Sequence, residues 1–203
     1  MIADPIRAHF EAHAATWDNH APPDLNVRLR RLLAPFADLL QDARAVLELG
    51  TGTGACIPHL RAYAPRARLI ALDLAHAMLI RARQRDTTTH LAQANAERLP
   101  FSSGGAHIGF DVVICHNSFP HFQDKPRALN EMRRVLRSGG HVLIVHHLSR
   151  EQVNAVHQRI GPPVANDVLP PARQMQQLFV HAGYVGAWVE DAPTHYIAHA
   201  ARP

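Results

Sequence analysis

Continuous apolar runs recur along the chain at Ala45-Val46-Leu47-Glu48-Leu49, Leu69-Ile70-Ala71-Leu72, Phe110-Asp111-Val112-Val113-Ile114-Cys115 and His141 to His146. Each is short and bounded by glycine or polar residues, which is how a strand buried on both faces reads. Between them the apolar positions take helical spacing, predicting helices over 54–64, 75–85, 124–136, near 149–160 and over 171–182. A weak strand is expected around 88–93, and two more near 184–190 and 194–200. This alternation predicts an α/β fold: a doubly wound, Rossmann-like, seven-stranded, mostly parallel sheet with helices on both faces. Residues 1–40 read as an Arg-rich helical lid or flank, broken at Ala21-Pro22-Pro23-Asp24, with Asp24 as the expected N-cap of a helix through Leu40. Pro58 falls in an early helical turn, where a missing N–H matters least. Ser102-Ser103-Gly104-Gly105 reads as a surface loop, and Gly139-Gly140 as a helix stop.

At 203 residues and 47% hydrophobic, the chain suits one buried core and is short for two ordinary domains, so 1–203 is read as a single domain. No apolar run reaches the roughly 18 residues of a membrane span, and Met1-Ile2-Ala3-Asp4-Pro5 lacks the pattern of a signal peptide. A cytoplasmic location is expected. Cys56 and Cys115 fall in a helix start and a strand, and so read as reduced thiols. The net charge of +4 comes from 21 basic residues, of which only Lys125 is a lysine. The arginines lie scattered beside acids on helix faces, so nucleic acid is not an expected partner. The 16 histidines are the compositional anomaly.

The chemistry begins where the first strand runs into Gly50-Thr51-Gly52-Thr53-Gly54. Alternating glycines allow left-handed turn conformations and remove the Cβ atoms that would hold a ligand away from the backbone. The helix that follows offers free N–H groups. Asp73 closes the second strand 23 residues beyond Gly50, the place from which a carboxylate accepts ribose hydroxyls. Together these predict an adenosine cofactor. Gly50 to Ala55 also satisfies the loose dinucleotide pattern, which keeps an NAD(P)-dependent oxidoreductase as an alternative. Against it, the chain has no Tyr-x-x-x-Lys pair, its one lysine standing four residues after His121.

Five segments in order resemble the class I S-adenosylmethionine-dependent methyltransferases, particularly the small-molecule group of ubiquinone and menaquinone biosynthesis. They are Glu48 to Gly54, Ala71 to Leu79, Asn95-Ala96-Glu97-Arg98-Leu99-Pro100-Phe101, Phe110-Asp111-Val112-Val113, and Leu136-Arg137-Ser138-Gly139-Gly140. The likeness covers roughly residues 7–190. It implies S-adenosylmethionine as cofactor, with Gly50 and Gly52, and Thr51 and Gly54 in the same turn, against its methionine and ribose portions. Asp73 would take the ribose hydroxyls and Leu74 and Met78 the adenine. Asn95 stands where the family usually has Asp; its side-chain oxygen would accept from the adenine amino group, with backbone contacts from Ala96. Glu48 would face the cofactor's ammonium, and the backbone of Cys115 and His116 would complete that end. Helix capping for Asp73 and core packing for Met78 are the rival roles.

The resemblance implies methyl transfer to a small-molecule oxygen, sulfur or carbon nucleophile. Nitrogen methylation of DNA adenine or protein glutamine fits poorly, since Asn117-Ser118-Phe119-Pro120 departs from the Asn-Pro-Pro-aromatic pattern of such enzymes. A non-catalytic S-adenosylmethionine-binding sensor is the alternative from another class. The acceptor pocket is expected beyond the carboxyl ends of the strands, bounded by the segment from His116 to Phe122 and by His146-His147, Phe10 and Trp17. His116, His121, His146 and His147 are the candidate bases. His121, His146, His147 and His157, with Asn154 on the same helix face as His157, could instead bind zinc or another divalent ion; His9 and His13 have metal-compatible spacing too. Oligomeric state is left open by the sequence.

Overall fold

The structure, a computed structural model, describes residues 4–105 and 109–203. The amino-terminal reading at Met1 to Ala3 lies outside them. Seven strands form one sheet: β1 (Ala45–Leu49), β2 (Arg68–Asp73), β3 (His90–Gln93), β4 (Phe110–His116), β5 (Leu136–His146), β6 (Val185–Ala192) and β7 (His195–Ala201). Their order is β3-β2-β1-β4-β5-β7-β6. The first five pair in parallel, and β7 runs antiparallel between β5 and β6. The strand order reverses between β1 and β4, which opens a crevice beyond their carboxyl ends, as it does in open α/β sheets generally.

Every residue of β1 is buried, and successive side chains leave the sheet on opposite faces. Leu47 and Leu49 join one core with Leu129 and Met132 of α6 (Lys125–Val135) and Met175 and Phe179 of α8 (Ala172–His181). Val46 joins the other with Leu29 and Leu33 of α2 (Leu25–Leu33) and Ile57 and Leu60 of α4 (Ile57–Tyr63). Helices therefore cover both faces. The remaining helices are α1 (Pro5–His13), α3 (Ala37–Gln41), α5 (His76–Arg85) and α7 (Arg150–Ile160). Among the described residues no helix is long and apolar enough to cross a membrane.

Several expected boundaries move for local reasons. The helix expected over 24–40 breaks into α2, a 3-10 turn at Ala34–Phe36 holding Pro35, and α3. Asp24 makes no side-chain cap there; its carboxylate pairs with Arg28 at 2.8 Å. The helix expected from residue 54 begins at Ile57, because Gly54 at φ +82° still belongs to the turn. Gly139-Gly140 do not stop α6, which ends at Val135; they lie inside β5, in its irregular stretch before the regular pairing of His141 with Val112.

Asp111 locks the amino ends of β1, β4 and β5 together. Its carboxylate accepts from the Arg44 and Ala45 amides, both at 2.8 Å, and from Arg137 at 2.5 Å. Burial opposes ionisation there, but Arg137 and the two amides prevail and hold the carboxyl below its ordinary value. The stabilisation is thus complete above the ordinary carboxylate range and is lost as pH falls through the lowered value. Asp111→Ala is expected to destabilise by about 1–3 kcal/mol at neutral pH, with the gap from wild type narrowing on acidification. Urea titrations at pH 7 and pH 3 measure both.

Candidate active site

The turn after β1 hangs from the end of β2. The Gly50 and Thr51 amides donate to the Leu72 carbonyl at 2.8 and 3.0 Å, and the Gly52 amide donates to Asp73 Oδ2 at 2.7 Å. Gly50, Gly52 and Gly54 all take positive φ, at +68°, +56° and +82°. Their reasons differ. A Cβ on Gly50 would lie 2.3 Å from Ser118 Cβ, and one on Gly54 3.1 Å from Ala82 Cβ, so these two are needed for packing. A Cβ on Gly52 would meet nothing within 4 Å. That bare backbone leaves room for a ligand to approach, as an adenosine cofactor requires.

A cavity of about 750 Å³ opens over this turn, within the usual size range of ligand pockets. One half is lined by Gly50, Thr51, Gly52, Asp73, Leu74, Met78, Asn95 and Ala96, and the other by His116, His121, His146, His147 and His157. Phe10, Trp17 and Phe122 add apolar wall. Glu48, Gly54 and Cys115, expected to face the cofactor, stand behind that wall. Glu48 and Cys115 are only 1% and 0% exposed, and Gly54 packs on α5. Phe119 is also away from the cavity, fully buried in the core.

Asp73 serves the turn and α5 together. Oδ2 takes the Gly52 amide and Oδ1 takes the Ala75 amide at 2.9 Å. Burial pushes its carboxyl up to about 6 against the pull of these amides. Each oxygen keeps a second lone pair for a hydroxyl donor, so the capping role and the ribose role are compatible. Glu48 accepts from Thr51 Oγ1 at 2.8 Å, and burial raises it to about 8; at neutral pH it is mostly a protonated acid. Asn95 Oδ1 accepts the Glu97 amide at 2.7 Å, which fixes the side chain and leaves that oxygen a second lone pair and the amide nitrogen as a donor.

The amino-terminal segment roofs the cavity. Glu11 accepts the His76 and Ala77 amides, each at 2.8 Å, at the start of α5. Asp18 accepts from Thr53 Oγ1 at 2.6 Å and pairs with Arg85 at 2.7 Å. Phe10 meets the His121 ring edge-on, 4.8 Å between centroids. The acidic anchors Glu11 and Asp18 were missed from the sequence, since only folding brings α1 onto α5.

On the histidine side, Asn117 follows β4 in the left-handed conformation at φ +53°, which Asn tolerates better than most residues. Its amide nitrogen lies 2.6 Å from His147 Nδ1, and His116 Nε2 lies 3.3 Å from the same atom. Burial pushes His116 down to about 3 and His147 to about 4, and holds His146 well below its ordinary value. These imidazoles are neutral at pH 7. The divalent-metal expectation is not supported: among the described residues no three His, Cys, Asp or Glu side chains converge to hold an ion. The Nδ1 atoms of His121 and His157 are engaged elsewhere. His121 Nδ1 bonds Asp167 Oδ2 at 2.8 Å, His157 Nδ1 bonds the Asp167 carbonyl at 2.5 Å, and Asn154 clamps the Leu169 backbone. Asp167 is a third residue missed from the sequence, a lone acid in a Pro-rich connection with no local signal.

Residues 47–144 match the family described as Methyltransferase domain. Among curated proteins, the chain is 36% identical over 138 residues to a malonyl-[acyl-carrier protein] O-methyltransferase of Geobacter sulfurreducens, covering 66% of this chain and 50% of the relative. It is 36% identical over 132 residues to a demethylmenaquinone methyltransferase of Thermus thermophilus, covering 58% of each. A phosphatidylethanolamine N-methyltransferase of Cereibacter sphaeroides is 34% identical over 53% of this chain and 52% of its own length. The chain spans about half the length of the curated relatives it matches. In fold it is similar to a SAM-dependent methyltransferase from Aquifex aeolicus, with a TM-score of 0.70 at 16% identity over 94% of this chain and 97% of the other. Residues 47–144 of the chain thus match a methyltransferase domain, and the segment is similar in sequence to S-adenosylmethionine-dependent methyltransferases.

Two outcomes follow from this geometry. Gly52→Ala puts a methyl group into the open cradle at a left-handed φ, and is expected to weaken cofactor binding at least tenfold in calorimetry while costing about 1 kcal/mol of stability. Glu48 has its folded pKa raised, so the folded state holds a proton that the unfolded state has released, and stability falls as pH rises from 4.5 to about 8. Glu48→Gln keeps an acceptor for Thr51 and should flatten that slope, making the variant the more stable protein at pH 8. Denaturation midpoints across pH 5–8 read it directly.

Proposed function

We propose that this protein transfers the methyl group of S-adenosylmethionine to an oxygen, sulfur or carbon nucleophile of a small molecule. One observation carries the reading: a single cavity joins the glycine cradle and Asp73 on one side to a histidine-lined, apolar-walled space on the other. A sensor needs only the first half; the second gives an acceptor somewhere to sit. When bound, the cofactor supplies an electrophilic methyl carbon, so the chain's tasks are alignment, exclusion of water and removal of a proton.

Gly50, Thr51, Gly52 and Asp73 would hold the sugar and amino-acid portions, with Met78, Leu74, Asn95 and Ala96 around the base. Glu48, Gly54 and Cys115 would act from behind, by holding the turn and the end of β4. Residues 1–40 would act as a lid on one domain spanning 1–203, with Phe10 and Trp17 closing the acceptor side. His116, His121, His146 and His147 are the residues from which a base would be drawn. The preference against nucleobase or amide nitrogen rests on Asn117-Ser118-Phe119-Pro120, which departs from the Asn-Pro-Pro-aromatic pattern and has Pro120 at the aromatic position. The relatives include O- and N-methyltransferases, so the acceptor atom is for experiment to name. Buried, unpaired Cys56 and Cys115 fit a reducing, cytoplasmic setting.

Calorimetry should show binding of S-adenosylmethionine and S-adenosylhomocysteine with little affinity for NAD or NADP. Asp73→Ala is expected to cost about 1.5–3 kcal/mol of that binding and, because both oxygens also bond the backbone, some thermal stability. Tight NAD binding with none of the sulfonium would reverse the assignment. A metabolite extract given isotopically labelled methyl donor should yield a labelled small molecule; donor binding without product would favour a sensor.

A further inference from the structure

Asp167 is 5% exposed, and no lysine or arginine pairs with it among the described residues. A buried carboxylate is costly without a compensating charge. Its partner here is an imidazole, which bears a charge only once protonated: His121 Nδ1 at 2.8 Å, with Gln123 Nε2 on the other oxygen at 3.2 Å. The segment bearing Asp167 is fixed from two sides, by His157 Nδ1 on its carbonyl and by its own amide on the Val164 carbonyl. Because Asp167 accepts, Nδ1 of His121 carries the hydrogen and Nε2 holds the free lone pair. That nitrogen bonds no described residue, and the ring lines the cavity.

Among the described residues no other histidine lining the cavity has a carboxylate on its Nδ1; His157 lines it too, but its Nδ1 bonds a backbone carbonyl. His147 Nδ1 faces the Asn117 amide nitrogen and so uses its lone pair. His146 is 1% exposed with Nε2 sealed away from any partner, and no carboxylate supports His116. Among the described residues, moreover, the cavity wall contains no lysine or arginine. Arg28 pairs with Asp24 and donates to the His147 carbonyl behind the wall, and Lys125 donates to the Pro120 and Phe122 carbonyls.

We propose that His121, positioned by Asp167, is the base of this site, and that its acceptor is an uncharged hydroxyl or thiol compound. The proposal rests on the methyltransferase reading. The acceptor's O–H or S–H proton passes to His121 Nε2 while its oxygen or sulfur bonds the methyl carbon. The electron pair of the breaking carbon–sulfur bond stays on the donor sulfur, which becomes a neutral thioether. The imidazolium formed is balanced by Asp167 and later releases its proton to water. Asp167 is a positioning residue, acting through His121 as a triad carboxylate does. The absence of cations from the wall leaves a carboxylate or phosphate on the acceptor without a counter-charge.

The test has two arms. In the first, nitrogen NMR of imidazole-labelled protein saturated with S-adenosylhomocysteine is followed from pH 5 to 9, with His121→Gln assigning the signal. The groups facing His121 are Asp167, His157 of α7, His146 of β5, Lys125 of α6 and, beside Phe10, His9 of α1. The expected tautomer has hydrogen on Nδ1, and Asp167→Asn should shift the titration to lower pH; hydrogen on Nε2, or an unmoved titration, overturns the proposal. In the second arm, labelled donor is offered with uncharged phenols and thiols and with their carboxylate- and phosphate-bearing counterparts. Product is expected from the uncharged set alone. kcat should fall about 100-fold in His121→Gln and about 10–100-fold in Asp167→Asn, with donor affinity and melting temperature near wild type. Full kcat in either variant, turnover confined to the anionic set, or no product from either set despite donor binding each overturns the base and acceptor assignment and leaves cofactor binding standing. Failure to bind the donor at all instead removes the methyltransferase reading. If Asp167→Asn does not fold, His121→Gln decides alone.

Discussion

A glycine turn in left-handed conformations cannot hold its shape through regular backbone pairing, and here the carboxylate of Asp73 holds it. One oxygen receives the Gly52 amide and the other the Ala75 amide, so one side chain sets the cradle and the start of α5 relative to each other. The parallel register of Leu49 with Leu72 brings Asp73 level with the turn, and the Leu72 carbonyl takes the two preceding amides. Met78, one turn into α5, reaches the cavity wall as a result. Without this clamp the backbone amides would point in no common direction.

The roof depends on the same elements with weaker ties. Glu11 sits on the amides that open α5, where a carboxylate is favoured by the helix dipole, and those amides hold it below its ordinary value although burial opposes them. The Asp18–Arg85 pair is about one-third exposed on each side, so it contributes at most about 1 kcal/mol. Beside these rim contacts, Ala14 and Phe10 pack with Ala75, Ala77 and Met78, so the roof also has a small apolar seat.

The histidine side shows burial overriding intrinsic basicity. Burial keeps His116, His146 and His147 neutral, with neighbouring imidazoles adding to the effect at His116 and His146 and the Arg28 guanidinium at His147. His121 is also lowered by burial, but the hydrogen bond to Asp167 opposes that effect. Similar residue types at one rim therefore differ in chemistry because only one of them has a carboxylate on its inner nitrogen.

What could be read from the chain alone was governed by local spacing. The seven strands, the three-glycine turn and the acid closing β2 are patterns of near neighbours or of one strand-helix-strand repeat, where the period of the backbone dictates which residues meet. Folding decided what lies between distant segments. That Asp167 reaches His121 across 46 positions, that Glu11 caps a helix 65 residues away, and that Glu48 and Cys115 sit behind the cavity wall depend on how loops pack. The same applies to metal binding: the histidines do gather at one rim, as their places after β4 and β5 imply, but ring orientation and hydrogen-bond partners decide whether nitrogens converge on an ion. Side-chain direction is set by three-dimensional packing, and no spacing along the chain encodes it.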